Sequence, residues 1–403
     1  MPPLVSFIIP AYKCASFLPQ AIDSALAQTH AHVEIIVVND GSPDDTDDVV
    51  KPYLDRITYL KQENRGLSAA RNVGFRASHG DFICFLDADD AVLPGKIERQ
   101  LDVFRREPDL GIVISGYVDV EEDGRTEILS VRKLWNRDGL ERLLRHEVFP
   151  PHAALIRRSA LEASSLFPED IDTWESQEDW QLWLEMALAG VQFGSYPEPT
   201  CLYRQRAGSI RRNALRHSDG ARRVVRWILT NYSAAIDEAV VGRLVAIVEL
   251  ERTAIAWTLG LEQETLEALG ISMRADPLWW QDPATLRLLH LRTMTLSDTV
   301  RWRNRPDPEA MRLCLMTGLL PVLRGRFSRA ECRRLDALAF LACADESYSR
   351  RQWAASCRYA VQALENSFTA CMRPKSLRSL LRSFAGPHVG ELIGRAERRV
   401  REH

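Results

Sequence analysis

Apolar residues in the first 120 positions fall into short runs separated by longer amphipathic stretches. VSFIIP (5–10) is a mostly apolar run closed by a proline, the pattern of a buried strand. Residues 15–28 place Phe17, Leu18, Ile22, Ala25 and Leu26 near helical spacing. VEIIVVND (33–40) is a β-branched run and predicts a second strand. DDTDDVVKPYL (44–54) suits a short helix, because acidic side chains in a first turn meet the positive end of the helix dipole. ITYLKQ (57–62) reads as a third strand and GLSAARNVGFRAS (66–78) as a helix. DFICFLDADD (81–90) reads as a strand running into a cluster of carboxylates. Such alternation predicts an α/β fold, a mostly parallel sheet with helices on its faces.

The pattern then becomes mixed. LGIVISGYVDV (110–120) is strand-like, ERLLRH (141–146) helical, and AALIRRSALE (153–162) a short strand leading into a helix. EDWQLWLEMALAG (178–190) is a strongly amphipathic helix, stopped by Gly190. VQFGSY (191–196) and TCLYRQ (200–205) read as two last short strands. From about 218 onward Ala, Leu, Arg and Trp dominate, with apolar-periodic stretches over 221–236, 239–259, 331–345, 351–366 and 388–401. Prolines at 277, 283, 306, 308, 321 and 374 punctuate them, which predicts an all-helical region. The expected organisation is a catalytic α/β domain over 1–217 and a helical C-terminal domain over 218–403.

Composition narrows the class. The chain has 403 residues, 46% hydrophobic and 27% charged, which excludes long disorder and a many-span membrane protein. The net charge of −3 hides an asymmetry. Residues 1–204 hold 20 Lys and Arg against 34 Asp and Glu, a net of −14; residues 205–403 hold 32 against 21, a net of +11. The eight cysteines form no C-x-x-C pair, which removes support for a zinc ribbon or a thioredoxin-type site. The start, MPPLVSFIIPAYK, has no basic segment ahead of its apolar run, so no secretory signal is read there. No stretch of about 18 apolar residues suggests a spanning helix. The expected location is the cytoplasm.

FLDADD carries the first chemical signal. A strand delivering Asp87, Asp89 and Asp90 to one edge concentrates like charges that repel unless a cation neutralises them. Oxygen ligands of this kind suit Mg²⁺ or Mn²⁺ alongside phosphate oxygens. The plainer reading is a solvated acidic turn. The first strand ends in PAYK (10–13) and the second in VNDGS (38–42), so Asp40 arrives at the same sheet edge. Asp40 either accepts from a base N–H or caps a helix. Arg71, in GLSAARN, either reaches a diphosphate or forms a surface ion pair.

Together PAYK, VNDGS, NRGLSAARNVG and FLDADD, in this order over about residues 1–210, resemble the inverting family 2 glycosyltransferases with the GT-A (Rossmann-like) fold. The resemblance implies a nucleotide-diphosphate sugar as donor, UDP being the favoured nucleotide. It implies that Pro10, Ala11, Tyr12, Asp40 and Arg71 line the nucleotide pocket, and that Asp87 and Ala88 lie near the ribose or donor sugar. Asp89 would be the main protein ligand of a Mn²⁺ or Mg²⁺ ion bridging the phosphates. Asp179 would be the general base, with Glu178 its neighbour. Inverting transfer needs such a carboxylate to take the acceptor hydroxyl's proton while the anomeric carbon is attacked from the face opposite the diphosphate.

One segment departs from the family pattern. CLYRQRAGSI (201–210) is similar to a Y-R-x-H-x-x-S segment but carries Arg206 in place of histidine. A protonated guanidinium cannot ligate a metal, so Arg204 and Arg206 become phosphate contacts. His217 either substitutes as a ligand or stands as a solvated histidine. Trp183 reads as core, and Trp180 as core or facing a sugar ring. His152 either touches the acceptor, orients the Asp179 helix or is satisfied by backbone groups. Val389, Leu392, Ile393, Ala396 and Val400 form one stripe of a basic amphipathic helix, which lies on an anionic membrane surface or packs on a neighbour.

The function these readings favour is sugar transfer to a hydroxyl of a glycan, lipid-linked or polysaccharide acceptor, in the cytoplasm or at the inner face of a membrane. A nucleotidyltransferase would need a Gly-rich basic loop after the first strand, where this chain has PAYK. A dehydrogenase would need G-x-G-x-x-G there. A non-catalytic nucleotide-sugar-binding or scaffold protein would not need Asp87, Asp89 and Asp179 together.

Overall fold

The computed structural model of the chain describes residues 2–120, 126–129, 139–144, 149–169, 176–204, 214–259, 261–276, 333, 336–337, 340–341, 343–344 and 353–366. The chain forms two compact units, 1–231 and 232–403. The first contains β1 (Val5–Ala11), α1 (Leu18–Leu26), β2 (Val33–Asp40), α2 (Thr46–Val49), β3 (Thr58–Gln62), α3 (Leu67–Ala77), β4 (Phe82–Phe85) and β5 (Ala91–Val92). It continues with α4 (Lys96–Arg106), β6 (Leu110–Val120), β7 (Thr126–Leu129), α5 (Gly139–Leu143), β8 (Ala154–Arg157), α6 (Arg158–Glu162), α7 (Glu178–Leu188), β9 (Gln192–Arg204) and α8 (Ala214–Tyr232).

The strands stand in the order β3-β2-β1-β4-β8-β6-β9-β5, with β7 paired to β6. β3, β2, β1 and β4 are parallel neighbours. β8 runs antiparallel to both β4 and β6, and β9 runs parallel to β6, so β6 and β9 point the same way as the first four. Six of the nine strands among the described residues therefore share one direction, and the sheet is mostly parallel. β1 lies between β2 and β4 and is buried along its whole length, as a strand covered on both faces must be.

Helix α3 packs closely on this sheet. Ile36, Val38 and Ala70 form a buried cluster, flanked by Leu60 and Val73. A Cβ on Gly74 would lie 2.4 Å from Ile8 Cγ2, so only glycine permits this approach. The helix returns from the end of β3, so its first turns lie beside the C-terminal ends of the strands. That brings Arg71, one turn before Gly74, to the sheet edge.

Three local features differ from the hydrophobic pattern. The helix expected over 44–54 is α2 followed by a separate 3-10 turn, Lys51–Tyr53, because Pro52 has no N–H to continue the ladder. The strand expected to reach residue 90 ends at Phe85, and the Asp90 N–H closes a turn on Asp87 O, so the carboxylates sit in a turn. The two expected short strands after Gly190 are one strand, β9. Its register on β6 jumps from Tyr196 to Pro199 between Ser115 and Gly116, a bulge at two prolines that cannot donate to the ladder.

In the second unit, α9 (Glu238–Thr258) and α10 (Glu262–Ala275) form a helical hairpin, and α11 (Trp353–Asn366) follows. Ser272 Oγ donates to Ala246 O across the hairpin at 2.7 Å, and Gly242 faces Ala275 O too closely to carry a Cβ. No helix among the described residues is long and apolar enough to cross a membrane. The expected basic helix over 388–401 lies outside the described residues.

Candidate active site

The strand order brings the ends of β1, β2 and β4 together, and the N-termini of α3 and α7 face the same region. The loops after β1 and β2 are tied to each other. Asp44 accepts from the Ala15 N–H (3.0 Å), Ser42 Oγ (2.5 Å) and Thr46 Oγ1 (2.5 Å). Ser42 Oγ also accepts from the Lys13 N–H at 2.8 Å. Burial alone would raise the Asp44 carboxyl, but its bonds from Ser42, Thr46 and Ala15 hold it down to about 2. Pro10 and Ala11 are buried at the strand end, while Tyr12 stands 41% exposed with the Lys13 ammonium over its ring.

Asp40, at the end of β2, is buried and already well bonded. Its Oδ1 accepts from Gln62 Nε2 (2.6 Å) and the Arg65 N–H (2.8 Å), and its Oδ2 from the Gly66 N–H (2.9 Å). Gly66 is the residue before α3 and has φ of +88°, so Asp40 holds the sharp entry to that helix. Both carboxylate oxygens of Asp40 are thus engaged by residues 62, 65 and 66, just ahead of the first turn of α3.

Arg71 is fully buried, which removes the surface-ion-pair reading. Its Nη2 donates to Asp87 Oδ1 and its Nη1 to Glu178 Oε1, both at 2.7 Å. The guanidinium also lies over the Phe167 ring, 5.0 Å from its centroid. Burial works against the charge, but Asp87 and Glu178 raise its pKa and keep it protonated. The Asp87 carboxyl, which burial would raise, is held low by the Arg71 guanidinium. A single side chain thus joins the turn after β4 to the start of α7, residues 87 and 178.

Asp179 follows Glu178 and is half-buried. Burial pushes its carboxyl up to about 7, the Glu178 charge adds to the rise, and Arg71 opposes it. Its Oδ1 accepts from the Trp180 N–H at 2.7 Å. Both tryptophans of α7 are core: Trp180 donates its indole N–H to Leu143 O, and Trp183 stacks on Phe149. The sugar-facing reading of Trp180 is therefore excluded.

Beneath the turn lies a pair that the sequence does not join, Asp90 of the carboxylate cluster and His152. His152 and Asp90 are buried, with His152 Nδ1 3.2 Å from Asp90 Oδ2. Burial lowers the imidazole to about 4 against the pull of Asp87, so the ring is neutral. Burial, then Asp89 and Asp87, push the Asp90 carboxyl well up. Burial thus disfavours charge on both groups, and neither nitrogen of the His152 ring has a hydrogen-bond partner. Ligand atoms of Asp87, Asp90 and His152 lie within 4.8 Å of one another, and His152 Nε2 has no hydrogen-bond partner. Two aspartates and a neutral imidazole fit a divalent cation, whose charge would draw the proton from Asp90 on binding. Asp89 is half-buried in the same turn and is not a member of this group.

Ala88 is buried between these aspartates. Arg204 closes the turn from β9: its N–H donates to Asp90 Oδ1 (2.7 Å), its Nε to Asp89 O (2.8 Å) and its Nη2 to Gln20 Oε1 (2.7 Å). Arg206 lies outside the described residues. His217 lies on α8, where Gln177 Nε2 approaches its Nε2 at 2.7 Å. The signal for Asp90 was present in FLDADD, but nothing local in VFPPHAALIR marks His152, because the pairing spans 62 positions and depends on β8 lying beside β4.

Residues 6–164 match the family model described as Glycosyl transferase family 2. An uncharacterized glycosyltransferase of Rickettsia prowazekii is 35% identical over 188 residues, 45% of this chain and 58% of that protein. The uncharacterized glycosyltransferase EpsJ of Bacillus subtilis is 36% identical over 183 residues, 42% of this chain and 53% of its own. The matched segment thus spans only about half the length of these relatives. The fold is also that of S. aureus TarS 1–349 in complex with UDP, with a TM-score of 0.52 at 18% identity, covering 86% of this chain and 91% of that one.

Proposed function

We propose, from the premise that residues 6–164 belong to glycosyl transferase family 2, that this protein moves a sugar from a nucleotide-diphosphate donor to an acceptor hydroxyl with inversion. UDP is the proposed nucleotide, in keeping with the UDP-bound protein of the same fold. The acceptor is a glycan, a lipid-linked sugar or a growing polysaccharide. The observation that carries the reading is the Asp87–Arg71–Glu178 bridge, which fixes the carboxylate turn against the helix that begins with Glu178 and Asp179.

In this reading Asp179 takes the acceptor proton. A carboxyl lifted to about 7 is a better base near neutral pH than an ordinary one. Arg71 orients both Asp87 and Glu178 and offsets their charge. Pro10, Ala11, Tyr12 and Asp40 frame the base and ribose, with Asp44 fixing the two loops. Ala88 and Asp87 face the donor sugar. Arg204 and Arg206 serve the diphosphate side.

A divalent cation, Mn²⁺ or Mg²⁺, would be held by Asp87, Asp90 and His152, with Asp89 of the same turn as the proposed ligand toward the diphosphate. When bound, it supplies positive charge against the departing diphosphate. The helical remainder is proposed as a separate domain that meets the acceptor or an anionic membrane surface.

The test is release of UDP from a panel of UDP-sugars with Mn²⁺ or Mg²⁺ present. The enzyme is expected to release UDP from at least one donor, and Asp179→Asn to bind that donor without turning it over. UDP binding with no turnover of any donor by the unaltered protein, with and without glycan acceptors, would favour a binding or scaffold role.

A further inference from the structure

Helix α7 starts in an unusual way. Gln177 precedes Glu178 and takes φ of +69° and ψ of +17°, the left-handed region that a side chain other than Gly or Asn rarely occupies. It makes no side-chain cap to its own helix. Its buried side chain instead reaches α8, where Gln177 Nε2 and His217 Nε2 lie 2.7 Å apart. Two further contacts join the same places. Ser176 Oγ donates to Arg216 O at 3.2 Å. Gly220, one turn after His217, faces Ser176 so closely that a Cβ there would lie 2.4 Å from Ser176 Oγ and 2.6 Å from Ser176 O.

A strained residue persists only where its surroundings over-determine it, and such residues cluster where geometry matters to function. Here the surroundings are a later helix, and the residues that follow directly are Glu178 and Asp179. Glu178 is held from the other side by Arg71. The first turn of α7 is thus gripped between α3 and α8, residues 71 and 217.

We propose that His217 is a positioning residue for Asp179, acting through Gln177 to fix the start of α7 and with it the direction of the base. The role assigned to His217 needs no contact with donor or acceptor. The inference rests on the reading of Asp179 as the base.

The experiment follows UDP release from the best UDP-sugar of the panel, in the full chain. Asp179→Asn is measured first. His217→Ala should lower kcat about tenfold or more with the donor KM within about twofold, because a misplaced base loses orientation and not donor contacts. His217→Gln places an amide near the Nε2 position and should recover most of that loss. Gln177→Gly accepts the positive φ without strain but removes the side chain, so it should match His217→Ala. The double variant should be no slower than either single one, as expected for two ends of one contact. Thermal melts accompany each variant; if His217→Ala does not fold, Gln177→Gly carries the same prediction. Unchanged kcat in His217→Ala, or losses that multiply in the double variant, overturns the proposal when Asp179→Asn is inactive. An Asp179→Asn protein that turns over normally overturns the reading of the base and the inference with it.

Discussion

Asp179 and Arg71 set opposite electrostatic problems in the same few ångströms. Burial, reinforced by Glu178, lifts the Asp179 carboxyl to about 7, and only the ionised form is a base. UDP release is therefore expected to rise with pH through about 7 and level off above it, and a profile flat from pH 5 to 8 would contradict the assignment. The same shift links to stability. A carboxyl with a folded pKa above its unfolded value favours the folded state only while protonated, so its contribution is lost as pH rises from about 4 to about 7. Asp179→Asn should melt at a higher temperature than the unaltered protein at pH 8, by a margin that narrows at pH 5. Arg71 is the reverse case: its charge is wanted by two neighbours. Arg71→Met keeps the volume but leaves Asp87 and Glu178 uncompensated, and should destabilise the fold by about 3 kcal/mol or more, read by chemical denaturation. Arg71→Lys cannot reproduce the two-pronged contact and should restore only part of that loss.

At the scale of elements, the site depends on how near α3 lies to the sheet. Gly74 meets Ile8 with no room for a methyl group, and Arg71 is one turn away on the same helix. Gly74→Ala should push α3 off β1, destabilise by about 1–3 kcal/mol and weaken UDP binding, measured by calorimetry alongside denaturation. Much of this architecture was legible in the sequence, because β1, β2 and β6 are mostly apolar, rich in Val and Ile, and each stands out from its flanks. The carboxylates of FLDADD and the acidic start of α7 were legible for the same reason: each is local to one element. What was hidden was pairing between elements. His152 meets Asp90 only because β8 is inserted beside β4, and Arg71 joins residues 87 and 178 only once the strand order is known. The single long β9 was hidden because Pro197 and Pro199 read as a break, although a bulge lets the strand pass through them.

For the whole molecule, the division of charge and the division of structure do not coincide. The sign of the net charge changes near residue 204, yet the first compact unit runs to 231 and takes in seven arginines between 205 and 231 against one aspartate. That lowers its net charge from −14 to −8, so the unit with the acidic turn carries part of its own counter-charge at its end. The helix that brings four of these arginines, α8, also carries His217 and Gly220, the residues that meet the start of α7. A cut after 231 leaves that contact intact, and a cut after 213 removes it while keeping every strand of the sheet. A fragment of residues 1–231 should therefore unfold cooperatively and release UDP from the same donor as the full chain. A fragment of residues 1–213 should still bind UDP, because the loops after β1 and β2 and the turn after β4 are complete, but should release it at least about tenfold more slowly. Calorimetry with UDP and a UDP-release assay on both fragments check this. Equal turnover by the two would show that α8 contributes nothing to the site, and loss of UDP binding by both would show that the remainder of the chain is needed to form it.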